Sequence, residues 1–145
     1  MAGKYLQAAN QFIKMCAASS RFDKACGAGN CRPVIAEEGR LKVEFEVQKE
    51  MTNPLGTLHG GCTATLIDVY TTGALLLTER AQPGVTVDLH VSYLAAAKIG
   101  ETVVLDSTVT KQGNRLAFTK AELYRKHDNV LIATGLHTKA FPKTK

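Results

Sequence analysis

The residues of this chain that could do chemistry are concentrated between Asn53 and Asp68. Asp68 is a carboxylate in the middle of the apolar run from Gly60 to Leu77. A charge among apolar side chains is costly unless it is paired or hydrogen-bonded, and carboxylates in apolar clefts often serve as general bases. The alternative is a structural carboxylate that bonds to Thr65 or Thr72, about one helical turn away.

The loop before this run supplies hydrogen-bond donors. His59, Gly60 and Gly61 stand where a helix is predicted to begin, and the first N–H groups of a helix have no intrahelical acceptor. Glycine lets a carbonyl group approach these donors closely, so they can stabilise an oxyanion. Asn53 offers a further amide donor, unless its side chain bonds its own backbone. His59 is interpreted as a residue that fixes the loop, with a role as a base as the alternative.

The elements that position these groups follow from hydrophobic periodicity. Leu41 to Gln48 alternates strictly, which predicts a half-buried strand. Gly60 to Leu77 has almost no polar face, which predicts a helix buried on most sides. Four further strands, at 85–93, 102–110, 116–124 and 130–141, are predicted to be joined by short turns and to pair with their neighbours in sequence. A helix covered by an antiparallel sheet is an α+β domain.

Residues 1–32 are predicted to form an N-terminal helical segment packed on a domain that spans residues 33–145. Its apolar face would contain Leu6, Phe12, Ile13 and Met15. The segment from Gly27 to Pro33 is predicted to be a loop. Because the N-terminal region is basic apart from Asp23, a mitochondrial import segment remains the alternative.

Composition limits the range of partners. The chain has 145 residues, the size of one domain, and a net charge of +5. The positive charges are scattered, which favours a few contacts to a polyphosphate over a nucleic-acid groove. No membrane-spanning segment is expected, since Asp68 interrupts an apolar run that is shorter than the ~20 residues a bilayer requires. The cysteines, at positions 16, 26, 31 and 62, lack zinc-site spacing and are interpreted as free thiols in a reducing compartment.

The run from Asn53 to Asp68 resembles the hotdog-fold thioesterases of the phenylacetate-degradation type, and within them the acyl-CoA thioesterase 13 (thioesterase superfamily member 2) group. The resemblance extends from about residue 42 to residue 141. It continues through the segments Pro83–Leu89, Ala97–Glu101, Lys111–Gly113, Leu116–Phe118 and His137–Lys139. It implies a hotdog fold, in which an antiparallel sheet wraps around a long buried helix.

The resemblance also implies roles for individual residues. Asn53 and the N–H of Gly60 would polarise a thioester carbonyl, with His59 beside them. Asp68 from the opposite subunit of a dimer would activate water, and Thr86 would help to hold it. No metal or cofactor is required. One departure lies in this set: position 86 is Thr, where close relatives can have Ser.

A second group of residues is implied in binding CoA. These residues are Tyr93, Ala96, Ala97, Lys98, Lys111, Gly113 and Arg115. The three cations among them are candidates for the phosphates. The usual Ser-Pro of this segment is replaced by Ala95-Ala96.

The expected function is hydrolysis of medium- to long-chain fatty acyl-CoA to a free fatty acid and CoA. The alternatives are an acyl-thioester hydratase or dehydratase, which would need a catalytic histidine, and a non-catalytic acyl-CoA-binding domain. The expected assembly is a homodimer that builds the active site and pairs into a tetramer. The expected location is the cytoplasm, with the mitochondrion as the alternative, and no nucleic acid is expected as a partner.

Overall fold

The computed structural model describes residues 3–143, and it confirms the predicted α+β class. The helices are α1 (Lys4–Ala18), α2 (Phe22–Ala25) and α3 (Gly60–Leu76), with short 3-10 turns at Ala28–Asn30 and Lys49–Met51. The strands are β1 (Arg32–Glu37), β2 (Arg40–Glu46), β3 (Val85–Tyr93), β4 (Thr102–Gln112), β5 (Leu116–Arg125) and β6 (Leu131–Ala140). The predicted long helix and the last four strands are present within a few residues of their expected ends.

The strands form one antiparallel sheet in the order β1-β2-β4-β5-β6-β3. The expectation that β3 pairs with β4 is wrong, because β3 pairs with β6 and lies at the sheet edge. The chain between β3 and β4 is a crossing connection, held by hydrogen bonds from Leu58 N–H to the Ala97 carbonyl (2.8 Å) and from Gly100 N–H to the Val47 carbonyl (2.9 Å). A tight turn would have kept the two strands adjacent.

Strand β1 was not expected, because the loop signals at residues 27–33 extend into it. Proline cannot donate a ladder hydrogen bond, but it is tolerated in an edge strand or at a bulge. Pro33 meets both conditions, since β1 is at the edge of the sheet and its pairing shifts between Pro33 and Ile35.

Helix α3 lies against the inner face of the sheet, and its apolar residues pack there against those of the strands. Leu41, Val43 and Phe45 of β2 are fully buried, as strict alternation requires. Strand β6 approaches α3 closely at Gly135, where a Cβ atom would lie 2.7 Å from Cγ2 of Ile67. The absence of a side chain at Gly135 therefore lets the inner face of β6 approach the helix.

Helix α1 packs on this core. Phe12 and Ile13 are buried as predicted, and the Phe12 ring meets the edge of Tyr70 with centroids 5.9 Å apart. Met15 was wrongly placed on the buried face, since 62% of it is exposed, and Ala9 and Cys16 are buried instead because they continue the one-turn spacing. The domain boundary at residue 32 stays a prediction.

Two further expectations concern thiols and membranes. All four cysteines are free thiols, as predicted, and all four are buried. Among the helices within residues 3–143, none has both the length and the apolar character needed to span a bilayer.

Candidate active site

The carboxylate predicted to be catalytic lies beside a threonine and a buried histidine. Asp68 extends from the middle of α3, and its Oδ1 atom is 3.9 Å from Nε2 of His137 on β6. The Oγ1 atom of Thr86 on β3 is 2.9 Å from the same ring nitrogen. The fold therefore brings together two residues of the predicted set, Asp68 and Thr86, and adds His137 between them.

The hydrogen positions around His137 follow from its partners. The Thr71 hydroxyl donates to the carbonyl oxygen of Ile67 at 2.6 Å. Its oxygen lies 2.7 Å from Nδ1 of His137 and can only accept there, so Nδ1 carries the ring hydrogen. Nε2 is then an acceptor, and the Thr86 hydroxyl donates to it. The lone pairs of Thr86 remain free to accept a hydrogen bond from another donor, such as water.

The protonation state of His137 agrees with this arrangement. Burial lowers the pKa of His137, since the charged imidazolium loses its hydration. The negative charges of Asp68 and Asp88 raise this pKa, and the positive charge of Lys139 lowers it further. The balance is a lowered pKa, which favours the neutral ring with an accepting Nε2.

Thr86 faces His137 because β3 contains a bulge. Asp88 pairs with Thr138 and Thr86 pairs with Lys139, so Val87 is an extra residue on this strand. Regular pairing would place Val87 opposite the inward-facing Lys139 and would turn Thr86 to the outer face. The bulge reverses the alternation and points the Thr86 hydroxyl toward the helix.

Asp68 is less enclosed than the sequence predicted. Of its side chain, 47% is exposed, so the expectation of a buried carboxylate is wrong for the single chain. Asp68 lies where the sheet ends at β3, and it opens into a cavity of about 220 Å³. A carboxylate in this position can contact both water and a bound molecule.

Asn53 organises the loop that precedes α3. Its side-chain oxygen accepts hydrogen bonds from the N–H groups of Leu55 (3.0 Å) and Thr57 (3.3 Å). Its Nδ2 atom lies 2.9 Å from Oγ1 of Thr57. Both interpretations of Asn53 are therefore compatible, because the oxygen closes the turn while a second Nδ2 hydrogen has no acceptor among residues 3–143.

The first turn of α3 includes backbone donors that have no acceptor among residues 3–143. His59 is the N-cap, and its Nδ1 accepts a hydrogen bond from Gly61 N–H at 2.8 Å. This contact fits the loop-fixing interpretation of His59, and any part in catalysis stays a prediction. The N–H of Gly60 has no acceptor within residues 3–143. The hydroxyl of Tyr93 donates to the Gly60 carbonyl at 2.6 Å and holds the loop to β3.

The two groups of residues are separated within one chain. We name Asn53, Gly60 and Tyr93 the donor end, and Asp68, Thr86 and His137 the carboxylate end. Gly60 and Asp68 are eight positions apart on α3, about 12 Å along the helix axis. The two residues also lie about 80° apart around the helix axis. One carbonyl group cannot contact both ends of the same chain.

Comparison with known proteins identifies the family. A family model described as "Thioesterase superfamily" matches residues 55–132, more than half of the chain. The chain belongs to the thioesterase superfamily. Acyl-coenzyme A thioesterase 13 of Homo sapiens is 44% identical over 133 residues, which cover 92% of this chain and 94% of that protein.

Two solved structures extend the comparison. Zebra fish thioesterase superfamily member 2 is 39% identical and has a TM-score of 0.91, over 97% of this chain and all of that one. A Streptococcus mutans protein bound to acetyl CoA is 25% identical, with a TM-score of 0.67 over 80% of this chain and 92% of that chain. The predicted hotdog fold and the predicted thioesterase family are confirmed.

In this thioesterase-superfamily chain, the residues implied in CoA binding fall into two sets. Tyr93, Ala96, Ala97 and Lys98 are at the donor end, where the Ala96 carbonyl accepts a hydrogen bond from Arg125 and Ala97 is buried. The turn with Lys111, Gly113 and Arg115 lies beyond the other end of β3. The nine residues of β3 separate the two sets by roughly 26 Å. A single chain does not bring them together.

Sequence reasoning gave no chemical role to His137, Thr71 or Lys139. It considered Thr72 only as a partner of the Asp68 carboxylate, whereas the Thr72 hydroxyl donates to the backbone carbonyl of Asp68. A signal was present on β6, where residues 135, 137 and 139 occupy alternate positions facing α3. A histidine and a lysine at inward positions of a strand are unusual, because polar groups there need partners. The partners, Thr71 and Thr72, donate to backbone carbonyls of α3 and accept from β6.

The lowered pKa of His137 predicts a pH-dependent stability. Between this pKa and the ordinary value of 6.5, the unfolded chain binds a proton that the folded chain does not. Stability is therefore lost as the pH falls through this window. Replacing His137 by Gln should reduce the loss of unfolding free energy between about pH 7.5 and about pH 5.

The measurement is urea unfolding of both proteins at the two pH values, at one fixed protein concentration. His127→Gln is the matched control, because 57% of the His127 side chain is exposed, and its pH response should follow the wild-type protein. If the unfolding free energy of His137→Gln changed with pH as much as that of the wild-type protein, burial of this ring would not lower its pKa.

Proposed function

We propose that this protein hydrolyses acyl-CoA thioesters to a free acid and CoA, with medium- to long-chain fatty acyl-CoA as its substrate. The observation that carries the proposal is the meeting of Asp68 and Thr86 at His137 Nε2, in a chain of the thioesterase superfamily. Relatives named acyl-coenzyme A thioesterase 13 support the substrate class. The reaction uses the residues of the site without a metal or cofactor.

The carboxylate end would hold the attacking water. A water molecule beside Asp68 donates one hydrogen to the carboxylate and the other to a free lone pair of Thr86. Its own lone pair is then directed at the thioester carbon. Asp68 removes a proton as the O–C bond forms, which is general base catalysis. His137 keeps the Thr86 hydroxyl in the orientation that leaves its lone pairs free.

The donor end would stabilise the oxyanion. The free Gly60 N–H is at the positive end of the α3 dipole, and the unused Nδ2 hydrogen of Asn53 adds a second donor. The tetrahedral intermediate collapses when the C–S bond breaks and CoA leaves as a thiolate. The proton taken up by Asp68 then passes to the thiolate sulfur, which completes the balance of atoms and charge.

A second copy of the chain would bring the two ends together. Strand β3 is an unpaired sheet edge, with Thr86 near its start and Tyr93 at its end. Antiparallel pairing of two β3 strands around Leu89 places the Tyr93 end of one subunit beside the Thr86 end of the other. The donor end of one chain then faces the carboxylate end of its partner.

The same pairing would assemble the CoA site. It brings Lys98 of one subunit toward the turn that carries Lys111 and Arg115 in the other. All three side chains are exposed in the single chain, so they can reach the phosphates of CoA without losing structural contacts. Ala96, Ala97 and Gly113 are proposed to contribute backbone to this site.

Assembly beyond the dimer and cellular location are also proposals. The resemblance to the thioesterase 13 group favours a tetramer made of two such dimers. It is compatible with a cytoplasmic enzyme, with the mitochondrion as the alternative location.

The proposed acyl preference predicts a rising rate with chain length. The cavity beside Asp68 is lined by Phe12 and Val69. Each methylene of the acyl chain that is buried against them contributes about 0.8 kcal/mol to binding. We expect kcat/KM to rise about tenfold per added carbon pair between acetyl-CoA and medium-chain esters. Thiol release should be measured with acetyl-, phenylacetyl-, medium-chain and long-chain CoA. A maximum at acetyl-CoA would contradict the preference but not the reaction.

Replacing the proposed base tests the chemistry. Asp68→Asn keeps the size of the side chain and removes the charge, so kcat should fall about 10²–10⁴-fold. Asp106→Asn, on the outer face of the sheet, is the control for loss of a carboxylate and should retain activity. Free thiol release is the assay, with urea unfolding to check folding. Near-normal turnover by folded Asp68→Asn would exclude the mechanism.

The shared site predicts complementation between inactive subunits. Asn53→Ala and Asp68→Asn chains, co-refolded in equal amounts, should regain about a quarter of wild-type activity, since half of the dimers are mixed and carry one intact site each. The control replaces the Asn53→Ala chain by the double variant, which supplies no intact carboxylate. If both ends came from one chain, neither mixture would regain activity.

A further inference from the structure

Arg80 ties the segment that follows α3 to the turn between β4 and β5, and it has no part in the reaction proposed above. Its Nη1 and Nη2 atoms donate to the carbonyl oxygens of Gly113 (2.8 Å) and Asn114 (3.0 Å). Its Nε donates to Oε1 of Gln82 at 2.9 Å. The guanidinium also lies over the ring of Phe141, 3.8 Å from the centroid. The planar group is therefore held both at its edge and at its face.

Three consecutive carbonyl groups of this turn are held from outside it. Arg80 binds the first two, those of Gly113 and Asn114, and the third, that of Arg115, accepts the N–H of Phe141 at 2.8 Å. In a trans peptide unit, the N–H of one residue points away from the carbonyl of the residue before it. Since the first two carbonyls point at Arg80, the N–H groups of Asn114 and Arg115 point away from it. Neither of these N–H groups has an acceptor among residues 3–143.

Two adjacent free N–H groups are suited to binding an anion. Successive backbone N–H groups form the anion-binding concavities of many phosphate sites. A hydrogen bond accepted by a carbonyl also polarises its peptide unit, which strengthens the N–H on the other side as a donor. Arg80 makes such a bond to both peptide units, so the N–H groups of Asn114 and Arg115 are stronger donors than those of a free turn.

The side chains around the turn add positive charge. Arg115 and Lys143 are among the residues that line an open groove of about 570 Å³ beside it. Arg80 forms no ion pair within the part of the chain that the structure describes. Glu79, the acid next to it, is paired with Lys4 at 2.7 Å. The charge of the guanidinium is therefore not cancelled by a carboxylate, which favours a negatively charged ligand at this turn.

We propose that Arg80 is a positioning residue for the phosphates of CoA, whose guanidinium holds the β4–β5 turn in the shape that offers its two free N–H groups to a phosphate. Arg80 acts through the turn and does not touch the substrate. Holding the turn before the substrate arrives lowers the cost of ordering it on binding. The proposal rests on the function proposed above, in which the turn with Lys111 and Arg115 binds CoA.

A substrate without phosphates separates positioning from general stability. Acyl-CoA and acyl-pantetheine with the same acyl chain share the thioester, but only acyl-CoA has phosphates. In Arg80→Met, KM for acyl-CoA should rise about tenfold with kcat nearly unchanged, because a turn that is not held must be ordered on binding. Both constants for acyl-pantetheine should match those of wild type. An equal loss with the two substrates would show a purely structural role and overturn the proposal.

Two further variants separate geometry from charge. Arg80→Lys keeps the charge, but an ammonium group cannot bind two carbonyls in one fixed plane and cover an aromatic ring. It should therefore keep most of the rise in KM for acyl-CoA. Arg32→Met removes an exposed guanidinium from β1, at the opposite edge of the sheet from β3, and should behave like wild type. A wild-type KM in Arg80→Lys, or a raised KM in Arg32→Met, would mean that charge alone is responsible and would contradict the proposal.

Measurements without turnover separate this proposal from the hydrolytic function. The N–H groups of Gly113 and Phe141 make hydrogen bonds that close the turn, so their hydrogen exchange, followed by NMR, reports how firmly it is held. In Arg80→Met both should exchange faster than in wild type or Arg32→Met, and calorimetry should show about tenfold weaker binding of CoA itself.

Unchanged exchange or an unchanged affinity for CoA would overturn the role of Arg80, whatever the enzyme hydrolyses. Faster exchange together with weaker CoA binding, in a protein that releases no thiol from acyl-CoA, would support this role and reject the proposed function.

Discussion

Hydrogen bonds between His137 and the hydroxyls of Thr71 and Thr86 join the central helix to the edge strand, and the carboxylate end of the site depends on them. Helix α3 is apolar on nearly every side, so the sheet must cover it. A polar reaction centre on such a helix is possible only where its polar groups are partnered. The hydroxyls of Thr71 and Thr72 meet this need, since they satisfy helix carbonyls and accept hydrogen bonds from His137 and Lys139.

The edge position of β3 resolves a conflict between burial and access. A helix carboxylate that faced the centre of the sheet would have no access to water or to a substrate. At the edge, Asp68 keeps nearly half of its side chain exposed while its neighbour His137 stays buried. The cost is an open strand edge, which proteins normally pair or cover. In the proposed dimer, the second subunit covers this edge and contributes the oxyanion donors.

The sequence predicted those parts of the fold that depend on local pattern. The unbroken apolar run from Gly60 and the alternation from Val85 predicted α3 and β3 with nearly correct ends. The pairing of β3 was missed, because it depends on the crossing connection and not on the strand itself. The loop that carries the hydrogen-bond donors was recognisable from the sequence, because Asn53, His59 and Gly60 are close together in it. His137 and Lys139 were not, because their partners are more than fifty positions away in the chain.

The bulge at Val87 has a consequence for comparing this protein with others. Thr86 faces the helix only because one additional residue lies between it and the regular part of β3. In a relative without that residue, a hydroxyl at the aligned position would point to the outer surface, and an alignment gap placed one column away would hide the difference. Whether a homologue retains an inward-facing hydroxyl at this position therefore has to be judged from strand register, and sequence identity at a single column is insufficient. The same holds for transplanting the site into another scaffold, where the irregular strand must be carried along with the side chains.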